Sequence, residues 1–174
     1  TNSKRQDIRI DNLVVFSTVN VTVKFQDSKA NPIPNGEITY HSAGWKNMGA
    51  TNSSGIVYKE MLPRRYTFKL TYDGVSVSKR QDVAIDPLII FSTVEVKVRF
   101  QTSNGSNISG GAISYHAGGW KDFGTTNETG NVTKELLARK YSFRVNYDGV
   151  SASKRQDVNI DPIVVFSTIK AIVH

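Results

Sequence analysis

The chain repeats itself. Ser-Lys-Arg-Gln-Asp begins at Ser3, Ser78 and Ser153, a period of 75 residues. Residues 19–93 align with 94–168 without a gap, and 42 of the 75 positions are identical. A period that long is a small domain rather than a solenoid turn, so the chain must build the same fold twice. A domain of this size buries only about 60–65% of its unfolded surface and gains from a neighbour to dock against.

Each copy reads as short strands. Val19, Val21, Val23 and Phe25 alternate with Asn20, Thr22 and Lys24, and Val94, Val96, Val98 and Phe100 repeat the pattern. Tyr66, Phe68, Leu70 and Tyr72 alternate with Thr67, Lys69 and Thr71. This period of two belongs to half-buried antiparallel strands. Turn chemistry separates the runs: NPIPNG, SNGSNISGG, TNSSG, TNETG, YDG and DP. About seven short strands per copy predict a two-sheet sandwich.

The run Asp86–Phe100 has no Gly and no Pro after Pro87, and is too long for an ordinary strand. Ile89 and Phe91 are odd-numbered, whereas Val94, Val96 and Val98 are even-numbered. One flat strand cannot keep one face buried across that change of parity. The expectation is a strand ending near Phe91 and another beginning near Val94, with Ser92 and Thr93 as the whole junction. So short a join leaves little room for independent tumbling. The predicted organisation is residues 1–18 as terminal strands of a preceding repeat, 19–93 and 94–168 as two sandwiches end to end, and 169–174 as the start of another. An alternative phase takes 3–77 and 78–152 as the units.

Composition narrows the function classes. No stretch approaches the roughly 18 apolar residues of a membrane-spanning helix. The sequence shows no signal peptide and begins at Thr1, which suggests a processed chain or a fragment. It holds no Cys, which excludes disulfides, metal thiolates and thiol nucleophiles. The net charge of +7 is spread thinly: 9 basic and 6 acidic side chains in 19–93, 9 and 7 in 94–168. That suits a solvated surface with excess Lys and Arg better than a nucleic-acid footprint.

Two sets of residues are candidate sites. Tyr40–Gly49 and Tyr115–Gly124 each place a His, a Trp and a Lys in a glycine-rich loop: His41, Trp45 and Lys46, then His116, Trp120 and Lys121. An aromatic platform with polar neighbours suits a sugar ring, and a nearby cation suits an acidic polysaccharide. The plainer expectation is that both Trp rings cap the sandwich. One His per copy is too few for a zinc site, so no metal and no cofactor is expected. Arg64-Arg65 and Arg139-Lys140 lie in a turn, as a hairpin tip, a domain contact or an anion site. Lys79, Arg80 and Asp82 read as charges that protect an edge strand, or as partners of an adjacent domain. Asn-x-Ser/Thr occurs at Asn20, Asn52, Asn104, Asn107, Asn127 and Asn131, the acceptor pattern of N-glycans and also ordinary turn vocabulary. No nucleophile elbow, phosphate loop, Ser/His/Asp set or paired carboxylates stand out, and an enzyme is not expected.

The order apolar strand, TNSSG or TNETG turn, V-x-K-E-x-L strand and Y-x-F strand within Gly36–Gly74 and its second copy resembles transthyretin-like (prealbumin-like) sandwich repeats of bacterial surface and secreted proteins. Carboxypeptidase regulatory-like and collagen-adhesin B-type modules are relatives of these. The resemblance covers nearly all of 19–168. It implies an all-β, Ig-like or transthyretin-like fold, extracellular and non-enzymatic. Collagen-adhesin B-type modules often carry a Lys–Asn isopeptide bond with a catalytic Glu. Lys24 is replaced by Arg99 in the second copy, and Phe68 and Phe143 bring no acid, so no such bond is expected. The function expected is a spacer stalk on a cell surface, with neighbouring repeats of the same polypeptide as partners. The alternative is a carbohydrate-binding module using the Trp loops.

Overall fold

The computed structural model describes residues 4–7, 9–10 and 12–170. They form no helix and thirteen strands: β1 Val19–Gln26, β2 Glu37–His41, β3 Trp45–Ala50, β4 Ile56–Met61, β5 Arg65–Tyr72, β6 Val75–Asp82, β7 Leu88–Gln101, β8 Ala112–His116, β9 Trp120–Thr125, β10 Asn131–Leu137, β11 Lys140–Tyr147, β12 Val150–Asp157 and β13 Ile163–Ser167. The contacts divide into two compact units. One holds the described residues up to Gln26 with Pro32–Thr71 and Ser78–Phe91. The other holds Asp27–Asn31, Tyr72–Val77 and everything described from Ser92 onward.

In the first unit β2 is the hinge of one sheet, paired with β3 on one side and β5 on the other, and β6 lies at the edge beside β5. Across the core β1 pairs antiparallel with β4, from Val19 opposite Met61 to Lys24 opposite Ile56. The alternation seen in the sequence is the alternation of burial: Val21, Val23, Phe25, Ile38, Phe68, Leu70 and Ile89 are all fully enclosed. Gly36 has to be glycine because a Cβ there would lie 2.8 Å from both Leu70 and Phe25, one from each sheet. Its N–H donates to the buried Thr51 Oγ1 (2.9 Å), and that hydroxyl donates to the Ile33 carbonyl (2.9 Å). A buried hydroxyl satisfied in both directions costs nothing to enclose.

The second unit repeats the plan. One sheet has the order β12-β11-β8-β9, and across the core β7 lies between β10 and β13. Val96, Val98, Ile113, Phe143 and Val164 are enclosed, and Gly111, Thr126 and Ile108 repeat the Gly36, Thr51 and Ile33 bonding at 2.9 and 3.0 Å. In each unit the SKRQD charges fall on an edge strand, β6 or β12, where charge resists edge-to-edge pairing.

Three features differ from the sequence expectation. First, there is no strand break at Ser92-Thr93: β7 is one strand of 14 residues, and the Thr93 side chain is buried. The change of parity does occur, one step later. Ile89, Phe91 and Thr93 are buried, and then Val96, Val98 and Phe100. The backbone hydrogen bonding to β10 runs on through Thr93–Arg99, so strand continuity is kept while the buried face changes. Second, β13 pairs with β7 in parallel, Ile163 opposite Lys97 to Ser167 opposite Gln101, so the sheets are not wholly antiparallel. A parallel pair needs a long crossover, and here β8 to β12 provide it. Third, the described residues of 1–18 form no strand, and Leu13, Val15 and Phe16 are exposed. The matching run Ile163–Ser167 is a strand because the first strand of its own copy precedes it. No such strand precedes Leu13 among the described residues. Ile169 and Lys170 form no strand, and 171–174 lie outside the described residues.

Candidate functional site

The two hairpins β2–β3 and β8–β9 carry the His, Trp and Lys residues, and strand alternation sorts those residues onto opposite faces. His41 pairs with Trp45, and Tyr40 with Lys46. His116 pairs with Trp120, and Tyr115 with Lys121. Each Trp therefore shares the outer face with its His, and each Lys shares the core face with a Tyr. The residues expected to act together do not form one site.

On the outer face Trp45 is 48% exposed and Trp120 43% exposed. They are not buried caps. His41 meets Trp45 edge-on at 5.5 Å between ring centroids, and His116 meets Trp120 at 5.6 Å. The Lys69 ammonium lies 4.3 Å from the Trp45 ring centroid, and the Arg144 guanidinium 3.8 Å from that of Trp120. A sugar platform needs an open aromatic face. Here a cation from β5 or β11, one strand beyond the immediate partner, already covers one face of each ring, the arrangement of a self-contained cation–π contact.

The basic pairs are also engaged locally. Arg64 lies over Tyr66 at 5.2 Å and Arg139 over Tyr141 at 5.7 Å. Arg65 faces Asp82 at 3.9 Å, and Lys140 pairs across the ladder with Asp157. Tyr66 and Tyr141 each donate a hydroxyl to the backbone, Leu62 O at 3.1 Å and Leu137 O at 3.0 Å. Burial pushes the Tyr141 phenol up to about 12 despite the nearby Arg139. These Tyr–Arg pairs close the β4–β5 and β10–β11 turns. Of the Asn-x-Ser/Thr sites, Asn52 and Asn127 build their turns, accepting backbone N–H bonds from Ser54 and Ile56, and from Thr129 and Asn131. No group of three His, Asp or Glu among the described residues could hold a metal. Among the described residues no helix is long and apolar enough to cross a membrane.

The most developed polar cluster is on the core face, inside the second unit, and centres on Asp73. Asp73 and Gly74 form the two-residue tip of the β5–β6 hairpin, with φ of 51° and 77°. Two positive φ values are what a type I′ turn requires, and Asp-Gly supplies them cheaply. The Asp73 carboxylate accepts the Tyr115 hydroxyl and the Lys121 ammonium, and Lys121 also donates to the Asp73 carbonyl at 2.9 Å. Burial raises the Asp73 pKa, but the Lys121 and Tyr115 hydrogen bonds outweigh it and hold the carboxyl below its usual range. Burial first, then the Asp73 hydrogen bond, drives the Tyr115 phenol far up. Gly74 approaches so closely that a Cβ there would lie 2.8 Å from the Ala117 carbonyl oxygen. Val75 is buried, and with Tyr72 it lines the same small cavity as Leu136, Leu137 and Tyr141. Glu135 adds a second polar point, accepting the Ser28 and Thr93 hydroxyls. Lys29 reaches Glu95 at 3.6 Å.

Asp73 and Glu135 are not among the candidate site residues that the sequence motifs single out. The available signal was the identity of Tyr-Asp-Gly-Val-Ser at 72–76 and 147–151. A hairpin tip alone would accept Asn-Gly equally well.

No family model matches the chain, and none of the curated proteins compared with it matches. Among solved structures the chain is similar to the Bacillus anthracis TIE protein, at 14% identity and TM-score 0.37, with 87% of this chain and 33% of that one covered. It is similar to a streptococcal ancillary pilin at 14% identity and TM-score 0.38, with 88% and 63% covered. It is similar to the shaft pilin SpaA of Lactobacillus rhamnosus GG at 10% identity and TM-score 0.34, with 90% and 100% covered. The chain thus spans about a third of the first of these proteins and less than two thirds of the second. Likenesses of this strength establish no relationship.

Proposed function

We propose that the chain is a non-enzymatic spacer: tandem sandwich repeats of an extracellular, cell-surface protein that hold other domains away from the surface on a stiff stalk. The observation that carries this reading is the 14-residue strand β7, which passes from the first sequence copy into the second with no linker. Three further facts support it. Two loops of the first copy, Asp27–Asn31 and Tyr72–Val77, cluster with the second unit. The ionisable groups that are engaged face backbone, aromatic rings or one another, as structural groups do. The absence of cysteine leaves stiffness to packing and hydrogen bonds. The partners this reading implies are neighbouring repeats of the same polypeptide, placed end to end.

Small-angle scattering of the chain tests the reading. A stiff spacer gives an elongated particle whose scattering fits one conformation. Scattering that fits only a broad ensemble of interdomain angles contradicts it. The Trp loops give the glycan alternative no open stacking face on the side where Lys69 or Arg144 lies, and it is not proposed.

A further inference from the structure

Asn-Gly occurs twice in the chain, at Asn35-Gly36 and Asn104-Gly105, and the two pairs are not repeats of one another. In such a pair the glycine nitrogen can attack the asparagine Cγ, because no Cβ on the following residue bars the approach. The structure sets the two pairs in opposite surroundings. Gly36 is buried, and its N–H donates to Thr51 Oγ1 at 2.9 Å. Its carbonyl accepts the Thr51 N–H at 2.9 Å, and Leu70 and Phe25 close on it from the two sheets. A ring closing there has to displace packed core. Asn104 and Gly105 are exposed in the Thr102–Ser106 loop, and a Cβ added at Gly105 would meet nothing within 4 Å. The Gly105 N–H donates to the Thr102 carbonyl at 3.0 Å, within a turn open to solvent. The hydroxyls of Thr102 and Ser106 both donate to Asn104 Oδ1, that of Ser106 at 3.3 Å. Donors on that oxygen draw electrons from Cγ and stabilise the negative charge that forms when a nitrogen adds there.

We infer that Asn104 is a self-modification site: in the folded chain it converts spontaneously to aspartate and isoaspartate, whereas Asn35, with the same dipeptide, is protected by the core. The Gly105 nitrogen gives its proton to a base in solvent and forms a bond to Asn104 Cγ. The Cγ–Nδ2 bond breaks, and ammonia leaves after taking a proton from water. The product is a five-membered cyclic imide. Water then adds to one of its two carbonyl carbons and breaks that carbon's bond to nitrogen. Opening at Cγ gives an ordinary aspartate. Opening at the backbone carbonyl leaves the main chain running through the side chain, one methylene longer. One water enters and one ammonia leaves, and nothing is oxidised or reduced. Either product carries a new carboxylate, which lowers the formal net charge of +7 by one. That carboxylate stands where the first copy has Lys29, so the two copies come to carry opposite charges in this loop. The inference goes beyond the spacer reading and does not rest on it.

The test is to hold the intact chain at mildly alkaline pH in water enriched in oxygen-18, digest it in ordinary water, and follow both Asn-Gly peptides by mass spectrometry. Only conversion during the incubation takes up the heavy oxygen. Labelling at Asn104 should be at least about tenfold faster than at Asn35, because an exposed turn opens at far less cost than a buried site. In urea the two peptides should label at similar rates, since the difference belongs to the fold. Gly105→Ala supplies the second arm. The first copy carries Ala30 at this place with φ of 67°, against 89° at Gly105, so the loop accepts alanine. The added methyl bars the attacking nitrogen, and labelling of Asn104 should slow at least about tenfold while that of Asn35 is unchanged. Three results overturn the inference: equal rates at the two sites in the folded chain, an Asn104 that stays unlabelled when folded while both sites react in urea, or no effect of Gly105→Ala. Each leaves the spacer reading intact, because that reading is tested by scattering.

Discussion

Asp73 shows how one side chain serves two purposes. Its αL backbone makes the turn, and its carboxylate ties the hairpin to Tyr115 and Lys121. Asp73→Asn keeps the turn and removes the charge. It should destabilise the second unit by about 1 kcal/mol, since the group is partly exposed and a charged hydrogen bond must be discounted for solvent. Urea unfolding at pH 7 measures this. The pH dependence has a definite sign. The folded-state pKa lies below the unfolded value of about 3.9, so the stabilisation is complete above that value. It falls as the pH drops below it and vanishes below the folded-state pKa. The difference between Asp73→Asn and the parent chain should therefore persist from neutral pH to about pH 5 and shrink below about pH 4. A difference that stays constant down to pH 2 contradicts the assignment. Trp120 makes a second prediction at this scale. Half-exposed and covered by Arg144, it should cost about 1–2 kcal/mol as Trp120→Ala, less than a buried aromatic. A loss above about 4 kcal/mol in the same urea assay would mean that the ring is core after all.

At the scale of elements, β7 carries the account. The apolar residues shift from odd to even numbers between Phe91 and Val94, so the buried face must change parity near there. The sequence could not show that the hydrogen-bonded ladder survives the change, since pairing with β10 is set by partners about 40 residues away. Strand number, alternation and the Asp-Gly turns were legible because each is a local signal. The parallel seating of β13, the separation of Trp from Lys and the capture of Asp73 were not, because each depends on which strand is adjacent. The separation of Trp from Lys was within reach, since neighbouring residues of one strand always face opposite ways. The run 13–17 has the composition of a strand but forms none, because a strand needs an adjacent partner and composition does not supply one. Inserting Gly-Gly-Ser between Thr93 and Val94 should separate the copies. Calorimetry would then show two unfolding transitions where the parent shows one. A single unchanged transition would show that β7 continuity does not couple them. Intact mass should also equal the sequence mass, since the core positions Phe68 and Phe143 offer no acid for an isopeptide bond.

At the scale of the whole molecule the proposed role demands that the two copies keep a fixed relation in solution. Ser53 and Glu128 occupy the same exposed turn position in the two copies, and the chain offers no native thiol to compete for label. Spin labels at Ser53→Cys and Glu128→Cys report the distance between copies by pulsed electron resonance. The account predicts one narrow distance distribution, no broader than label motion allows, and clear broadening on inserting Gly-Gly-Ser after Thr93. A broad or multimodal distribution in the parent chain would contradict it.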